Sequence, residues 1–260
     1  MNGKPLDEKV VERYYDAWTQ KYMDDFGQIF QALQTENPEE LIEYIARVTG
    51  MHDGQKILDA GCGIGGPAVI WAKKYAVEIE ALTISTKQVE LAKAAVKDAL
   101  DLKGRISVTK GDFHQLESYF GENTFDTIYF LESLVHSHNP ALAISSARRV
   151  IKDQGILYIK DLFKGPSDPN SPGMIDYPIA RIDEQFALKI RTVGEILNII
   201  AESGFMIDYC RQPEVQNYFD RGNRFTAKHL FSLLPEQKGP WMDEGLTFLH
   251  WLEIKATKRY

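Results

Sequence analysis

The sequence predicts an α/β fold, a mostly parallel twisted sheet with helices on both faces. Three observations carry this expectation. From Gln55 onward, short apolar runs alternate with helical stretches. Such βαβα order sets parallel strands side by side through covering helices. The first of these strands runs into a glycine-rich turn, Gly61-Cys62-Gly63-Ile64-Gly65-Gly66, that opens a helix. Finally, 260 residues of which 44% are hydrophobic suffice to bury one such core and a lid.

Each element has a local reason. A first helix is expected from Asp7, because Val11, Tyr15, Trp18 and Tyr22 recur on one face. A second follows Asn37. Asn37 caps it, Pro38 fits the first turn, Glu40 completes a capping box and Gly50 stops it. Strands are expected at Lys56–Ala60, Glu78–Ile84, Ile106–Lys110, Phe125–Leu131 and Gly155–Phe163. Helices are expected over Pro67–Tyr75, from Ser85 to about Leu100, and from Asn139-Pro140 to about Lys152. The stretch Lys164–Asp183 holds Gly165, Pro166, Pro169, Pro172, Gly173 and Pro178, a density that reads as a long loop or lid. Thr192 and Glu195 form another capping box, opening a helix that ends near Gly204. Strands Phe205–Cys210 and Leu246–Thr257 complete the pattern. The chain thus divides into a helical cover (1–50), a cofactor-binding core (51–163), a lid (164–191), and the rest of the sheet with acceptor-pocket elements (192–260).

Composition excludes several classes. The net charge is −7 and long Lys or Arg runs are absent, so a nucleic-acid footprint is lacking. No apolar run approaches the roughly 20 residues of a membrane helix. The polar stretch Met1–Lys9 does not resemble a signal peptide. Of the two cysteines, Cys62 lies inside the glycine turn, so a disulfide framework is not expected. These features suggest the cytoplasm. His136 and His138 stand two apart with no H-x-x-x-H or Cys pair, so no metal is expected.

The glycine turn carries the chemistry. Glycines let a backbone approach a ligand, and a helix start offers free N–H groups. Gly61, Gly63 and Gly66 also match the G-x-G-x-x-G of dinucleotide enzymes. Two features favour S-adenosylmethionine (SAM) over a dinucleotide. Asp59 precedes the first glycine, where a carboxylate repels a pyrophosphate but suits the sulfonium and ammonium of SAM. The second strand ends at Thr83-Ile84 rather than at the acidic residue that takes a dinucleotide ribose, although Glu80 stands near that spacing.

Further motifs narrow the reading. Leu82-Thr83-Ile84-Ser85 with Gln88, Leu131-Glu132-Ser133 with His136, and Tyr14-Tyr15-Asp16 with Thr19, Tyr22 and Gly27 resemble segments of a known family. The chain resembles the class I, Rossmann-like SAM-dependent methyltransferases, and within them the sterol, tocopherol and geranyl diphosphate C-methyltransferases. The resemblance runs from about Tyr14 to Phe205 and implies a set of roles. Gly61 and Gly63 hold the methionyl part of SAM. Thr83 and Ile84 border the ribose and adenine, with Gln88 near the ribose. Asp112 accepts from the adenine amino group and Phe113 offers its backbone N–H. Leu131 offers backbone near the amino-acid end, and Tyr14 and Tyr15 close over it. Local readings stay open beside these: Gln88 also completes a capping box with Ser85, Asp112 suits a turn, and either tyrosine suits a helix core.

Methyl transfer from a sulfonium needs little beyond alignment. A carbon acceptor forms a cation that must lose a proton, so a base is needed. Glu132, just past the strand Phe125–Leu131 at the carboxyl end of the sheet, is the candidate base, with His136 beside it. Lys160 and Asp161, at the end of the fifth strand, are placed to face the acceptor as well but are assigned no role. Tyr177, Phe186, Tyr218, Phe219, Phe225, Phe231, Trp241, Phe248 and Trp251 suggest a hydrophobic or aromatic acceptor, an ordinary core or an oligomer face being the other reading. Arg181, Lys189, Arg191, Arg221 and Arg224 are too scattered to mark a diphosphate site. The expected activity is C-methylation of an isoprenoid or isoprenoid-bearing small molecule, the alternative being N- or O-methylation. Further alternatives are a non-methylating SAM-binding protein and an NAD-dependent oxidoreductase.

Overall fold

A computed structural model describes residues 6–30, 33–34, 37–165, 176–215, 219–220 and 249–259. Seven strands form one sheet: β1 Lys56–Ala60, β2 Glu78–Thr83, β3 Arg105–Lys110, β4 Phe125–Leu131, β5 Ile151–Lys164, β6 Phe205–Arg211 and β7 Leu249–Lys258. Their order is 3-2-1-4-5-7-6. β1 to β5 pair in parallel, and β7 runs antiparallel to both β5 and β6. The mostly parallel sheet read from the sequence is therefore present, with one reversed strand near its edge. A separate two-residue ladder pairs Leu33 with Asp220 and Gln34 with Phe219.

The helices are α1 Glu8–Phe26, α2 Pro38–Thr49, α3 Gly66–Lys74, α4 Thr86–Asp98, α5 Pro140–Val150, α6 Asp176–Phe186 and α7 Val193–Glu202. Alternate residues of a strand face opposite sides of the sheet. Ile57 and Tyr129 accordingly join Ile42, Ile45 and Trp71 on the face that α2 and α3 cover. Leu58, Ile128 and Phe130 join Ile144, Ala147, Ile196 and Ile200 under α5 and α7. The N-caps fall where expected, though α2 is capped without the box expected of Glu40. The Asp7 side chain accepts from Val10 N–H, Asn37 caps α2 through Glu39 N–H, and Thr192 and Glu195 close a reciprocal box. No helix among the described residues is long and apolar enough to cross a membrane.

One expectation is overturned. Lys164–Asp183 is not loop throughout, because α6 begins at Asp176 and runs to Phe186. Ile179, Ile182 and Phe186 recur at helical spacing and pack with Val135 and Leu162. That apolar stripe outweighs the helix-breaking effect expected of Pro178, which falls within the first turn, where proline is tolerated. Residues 166–175 lie outside those described.

The two central strands meet closely at their carboxyl ends. A Cβ built on Gly61 (φ +96°) falls 2.3 Å from the Ser133 Cβ. The Ser133 hydroxyl donates to the Ala60 carbonyl at 2.6 Å. Gly61→Ala should therefore force these loops apart and lower the unfolding free energy by about 1–3 kcal/mol, the usual cost of overpacking. Urea unfolding of Gly61→Ala, and of Gly61→Ala with Ser133→Gly, tests this. The second change should recover part of the loss, and an unshifted midpoint for Gly61→Ala alone would refute the packing argument.

Candidate active site

Strand order reverses between β1 and β4, and ligands of open α/β sheets bind at such a point. There a cleft opens, enclosing about 820 Å³ of non-atom space with open solvent included. Gly61, Gly63, Thr83, Ile84, Gln88, Asp112, Phe113 and Leu131 all line it, with Asp59, Tyr15, Glu132 and His136. Tyr14 does not. It is buried in the α1 packing, its hydroxyl 2.9 Å from that of Tyr22, so of the two tyrosines only Tyr15 reaches the cleft.

The glycine turn is shaped for an outside partner. Gly63 sits at φ +56°, and a Cβ added there would touch only the Phe30 ring, at 3.4 Å. Protein packing does not require a glycine here; its left-handed backbone does, and it leaves the turn open to the cleft. Asp59, at the end of β1, is 1% exposed and its Oδ2 has no hydrogen-bond partner. Burial pushes its carboxyl up to about 7. An unpaired buried carboxylate facing a cleft is costly unless a cation meets it.

At the far end, the Thr83 hydroxyl donates to Gln88 Oε1 at 2.6 Å. The Gln88 backbone N–H donates to the Ser85 side chain, so the backbone half of the expected box forms while the side chain turns to Thr83. Asp112 caps a short 3₁₀ turn, Phe113–Ser118, its Oδ1 accepting from the His114 N–H at 2.9 Å. Burial alone would raise the Asp112 carboxyl, but the His114 side-chain and backbone hydrogen bonds together hold it below its ordinary value.

The acid–base groups gather where β4 and β5 end. Glu132 adopts φ +53°, a left-handed conformation uncommon outside glycine and often found at functional sites. Its N–H donates to the Lys160 carbonyl at 2.7 Å, and its carboxylate pairs with the fully buried Lys160 ammonium. Asp161 accepts from Leu162 and Val135 N–H groups, each at 2.9 Å; burial and then Glu132 push its carboxyl up to about 7. His136 has a defined tautomer. Its Nδ1 lies 2.8 Å from the Ala187 carbonyl and so carries the proton. Burial pushes the ring down to about 4, so it is neutral, and Nε2 accepts from the Tyr15 hydroxyl at 2.6 Å. The Tyr15 hydroxyl is held protonated by burial and then by Tyr22, Glu132 and Asp161.

Several residues escaped sequence reasoning. Glu8, Val11 and Phe30 reach the cleft from α1 and the turn after it, as does His114 from the sheet side; Ser133 and His138, which the sequence places beside Glu132, line it too. Lys160 had one visible signal, a lone cation in the apolar run Ile156–Phe163. Asp16 accepts from the Ser85 hydroxyl at 2.6 Å and from Lys87 N–H at 3.1 Å, so α1 supplies a carboxylate to the start of α4. Of the scattered cations, the Arg191 guanidinium binds the carbonyls of Ser137, His138 and Lys189, and Arg181 pairs with Glu184. Phe186 packs with Tyr14 and Val135, and Trp251 lies against the same cluster. The side chains of Tyr177 and Phe219, and residues Tyr218, Arg221, Arg224, Phe225, Phe231, Trp241 and Phe248, lie outside those described.

Among the described residues the cleft is lined by the carboxylates Glu8, Asp59, Asp112 and Glu132 and by no Lys or Arg. Such a site repels a pyrophosphate and attracts a cation. The doubly wound sheet thus carries at its switch point a cleft whose described lining is acidic, with the buried Asp59 carboxylate and the Gly63 backbone facing it. Comparison with known proteins makes this specific. Residues 58–159 match the methyltransferase domain family. The O-methyltransferase resE of Aspergillus sclerotiorum is 30% identical over 208 residues, 76% of each chain. A sterol 24-C-methyltransferase of Gibberella zeae is 33% identical over 155 residues, which are 56% of this chain but only 40% of that enzyme. The crystal structure of the [4+2]-cyclase SpnF superposes with a TM-score of 0.76 at 22% identity, over 98% of this chain and 97% of that one, and shares the fold. The chain belongs to the class I SAM-dependent methyltransferases, the family that includes the sterol C-methyltransferases and natural-product O-methyltransferases.

A cation bound at Asp59 is expected to make cofactor binding proton-linked. With its carboxyl raised to about 7, the free protein holds a proton there at lower pH. A bound cation favours the ionised form, so binding expels that proton and affinity rises with pH until the carboxyl is already ionised. Tyr129 and Cys62 face the same carboxylate, but burial first and then Asp59 hold both well above that range. Calorimetry of SAM binding at about pH 6, in buffers of different ionisation enthalpy, should show proton release that fades by about pH 8. Asp59→Asn should weaken binding and abolish the release. Undiminished release in Asp59→Asn would place the linkage elsewhere.

Proposed function

We propose that this enzyme transfers the methyl group of SAM to carbon of a small hydrophobic acceptor, an isoprenoid or isoprenoid-bearing natural product, with Glu132 as the base. One observation carries the reading: a carboxylate on left-handed backbone at the carboxyl end of β4, in a cleft lined by three further carboxylates and no cation among the described residues. When bound, the cofactor would supply an electrophilic methyl carbon, the S–CH3 bond breaking to leave a neutral thioether. When an alkene carbon takes that methyl, positive charge forms on the neighbouring acceptor carbon. Glu132 and the surrounding anionic field stabilise it, and loss of a proton to Glu132 restores a neutral product. A phenol would instead have to develop negative charge among these carboxylates, which the field opposes. The same field disfavours a diphosphate-bearing acceptor.

A second reading has support of its own. His136 is neutral, and its Nε2 meets only the Tyr15 hydroxyl among the described groups. Were Tyr15 to yield that position, the imidazole would accept a proton from a hydroxyl acceptor. The extent of the match to the O-methyltransferase resE favours the same direction. N-methylation of an amine also suits the anionic cleft.

Methyl-labelled SAM offered with a panel of terpenoid alkenes, phenols and amines tests these alternatives. NMR of the product then shows whether the label sits on carbon, oxygen or nitrogen. For the carbon acceptor, Glu132→Gln should lower kcat by about two to four decades, the worth of a positioned base, with SAM affinity little changed. Because Glu132→Gln alone strands the buried Lys160 charge, Glu132→Gln with Lys160→Met is measured beside it. Near-native turnover in that double variant would remove the base role and favour the second reading.

A further inference from the structure

Asp112 stands at the end of a run of hydrogen bonds that begins on another element. The Asn139 N–H donates to Ser137 Oγ at 3.2 Å, at the start of α5. Ser137 Oγ lies 2.7 Å from His114 Nε2, and His114 Nδ1 lies 2.6 Å from Asp112 Oδ1. A carboxylate only accepts, so Nδ1 carries the hydrogen. In the neutral ring Nε2 is then an acceptor, and the Ser137 hydroxyl donates to it. His114 also gives its backbone N–H to the same oxygen, Asp112 Oδ1, at 2.9 Å. Among the described residues no donor holds Oδ2.

The run is fixed on every side. His114 is 4% exposed and Ser137 is fully buried. The His138 ring covers His114 with centroids 4.3 Å apart, and Arg191 grips the carbonyls of Ser137 and His138 at 3.0 and 3.2 Å. Asp112, His114 and His138 all line the cleft at the same end.

We propose that His114 is a positioning residue for purine recognition. It holds Asp112 Oδ1 through two donors, leaves Oδ2 as the acceptor offered to the cleft, and so makes the enzyme select a 6-amino over a 6-oxo purine. The proposal rests on the assignment of Asp112 to the adenine. A carboxylate oxygen that cannot rotate away pairs with an exocyclic amino group and meets a purine carbonyl acceptor to acceptor. A freely turning carboxylate would evade that repulsion. A site built around one donor–acceptor pair rejects the analogue lacking it far more strongly than an apolar pocket does.

Calorimetry with S-adenosylhomocysteine and S-inosylhomocysteine tests this without any acceptor. The native enzyme should prefer the adenosyl ligand by about a hundredfold or more. His114→Leu should cut that preference about tenfold, chiefly through weaker adenosyl binding. His114→Asn, whose amide N–H stands near the place of Nδ1, should keep the preference within about threefold. Equal weakening of both ligands in His114→Leu, with the preference intact, would make His114 merely structural and overturn the proposal. Failure of His114→Asn to keep the preference while remaining folded would also overturn it. A native enzyme with no preference would overturn the adenine assignment of Asp112 itself, and this proposal with it.

Discussion

Where β1 and β4 end, Gly61 and Ser133 approach so closely that no side chain fits between them. The contact ties the glycine turn to the β4 loop, and the Ser133 hydroxyl bond to Ala60 closes it. The rest of the site depends on that junction. Next to Ser133, Glu132 stands on left-handed backbone, its N–H on the Lys160 carbonyl and its carboxylate against the Lys160 ammonium. The residues after it form the turn Leu134–His136, which carries His136 to Tyr15 of α1. One close approach of two backbones therefore orients the cofactor turn, the carboxylate and the cover together.

Charge gives the cleft its chemistry. Four lining carboxylates with no lining cation among the described residues favour any species that carries or develops positive charge. The sulfonium and ammonium of SAM are such species, and so is a carbocation on an acceptor. Lys160 supports Glu132 without lining the cleft: the ammonium is fully buried and pairs with the carboxylate from the sheet side. The shared fold alone would not have chosen this chemistry, since the [4+2]-cyclase SpnF has the same architecture across nearly its whole length. The side chains at the switch point carry the argument.

The cover is held by contacts between distant parts of the chain. Asp16 meets the start of α4, Glu12 pairs with Lys110 at 2.5 Å, and Tyr15 donates to His136. The Glu12 pair is exposed and adds little. The Ser85–Asp16 and Tyr15–His136 bonds are partly buried, and they tie α1 to the rest of the cleft.

Much of this was legible in the sequence. Periodicity and caps predicted the strands and most helices, because hydrophobic spacing and capping chemistry are local properties. The glycine turn and the acidic Asp59 pointed to the cofactor, because close backbone approach and charge complementarity need those residue types at that place. Other features depended on packing across the chain. Proline density concealed α6, whose apolar stripe packs with residues far away in sequence, Tyr14, Val135 and Leu162 among them. Tyr14 and Tyr15 are adjacent and alike, and only the docking of α1 turned one into its own packing and the other into the cleft. Lys160 opposite Glu132, His114 behind Asp112 and Asp16 at α4 are each pairs of groups that no spacing rule connects. The sequence by itself determined the fold class, the cofactor turn and the acidic character of the site. The tertiary structure alone decided which polar groups face one another, because hydrogen bonds and ion pairs depend on distances of a few ångströms between elements that the chain brings together only when folded.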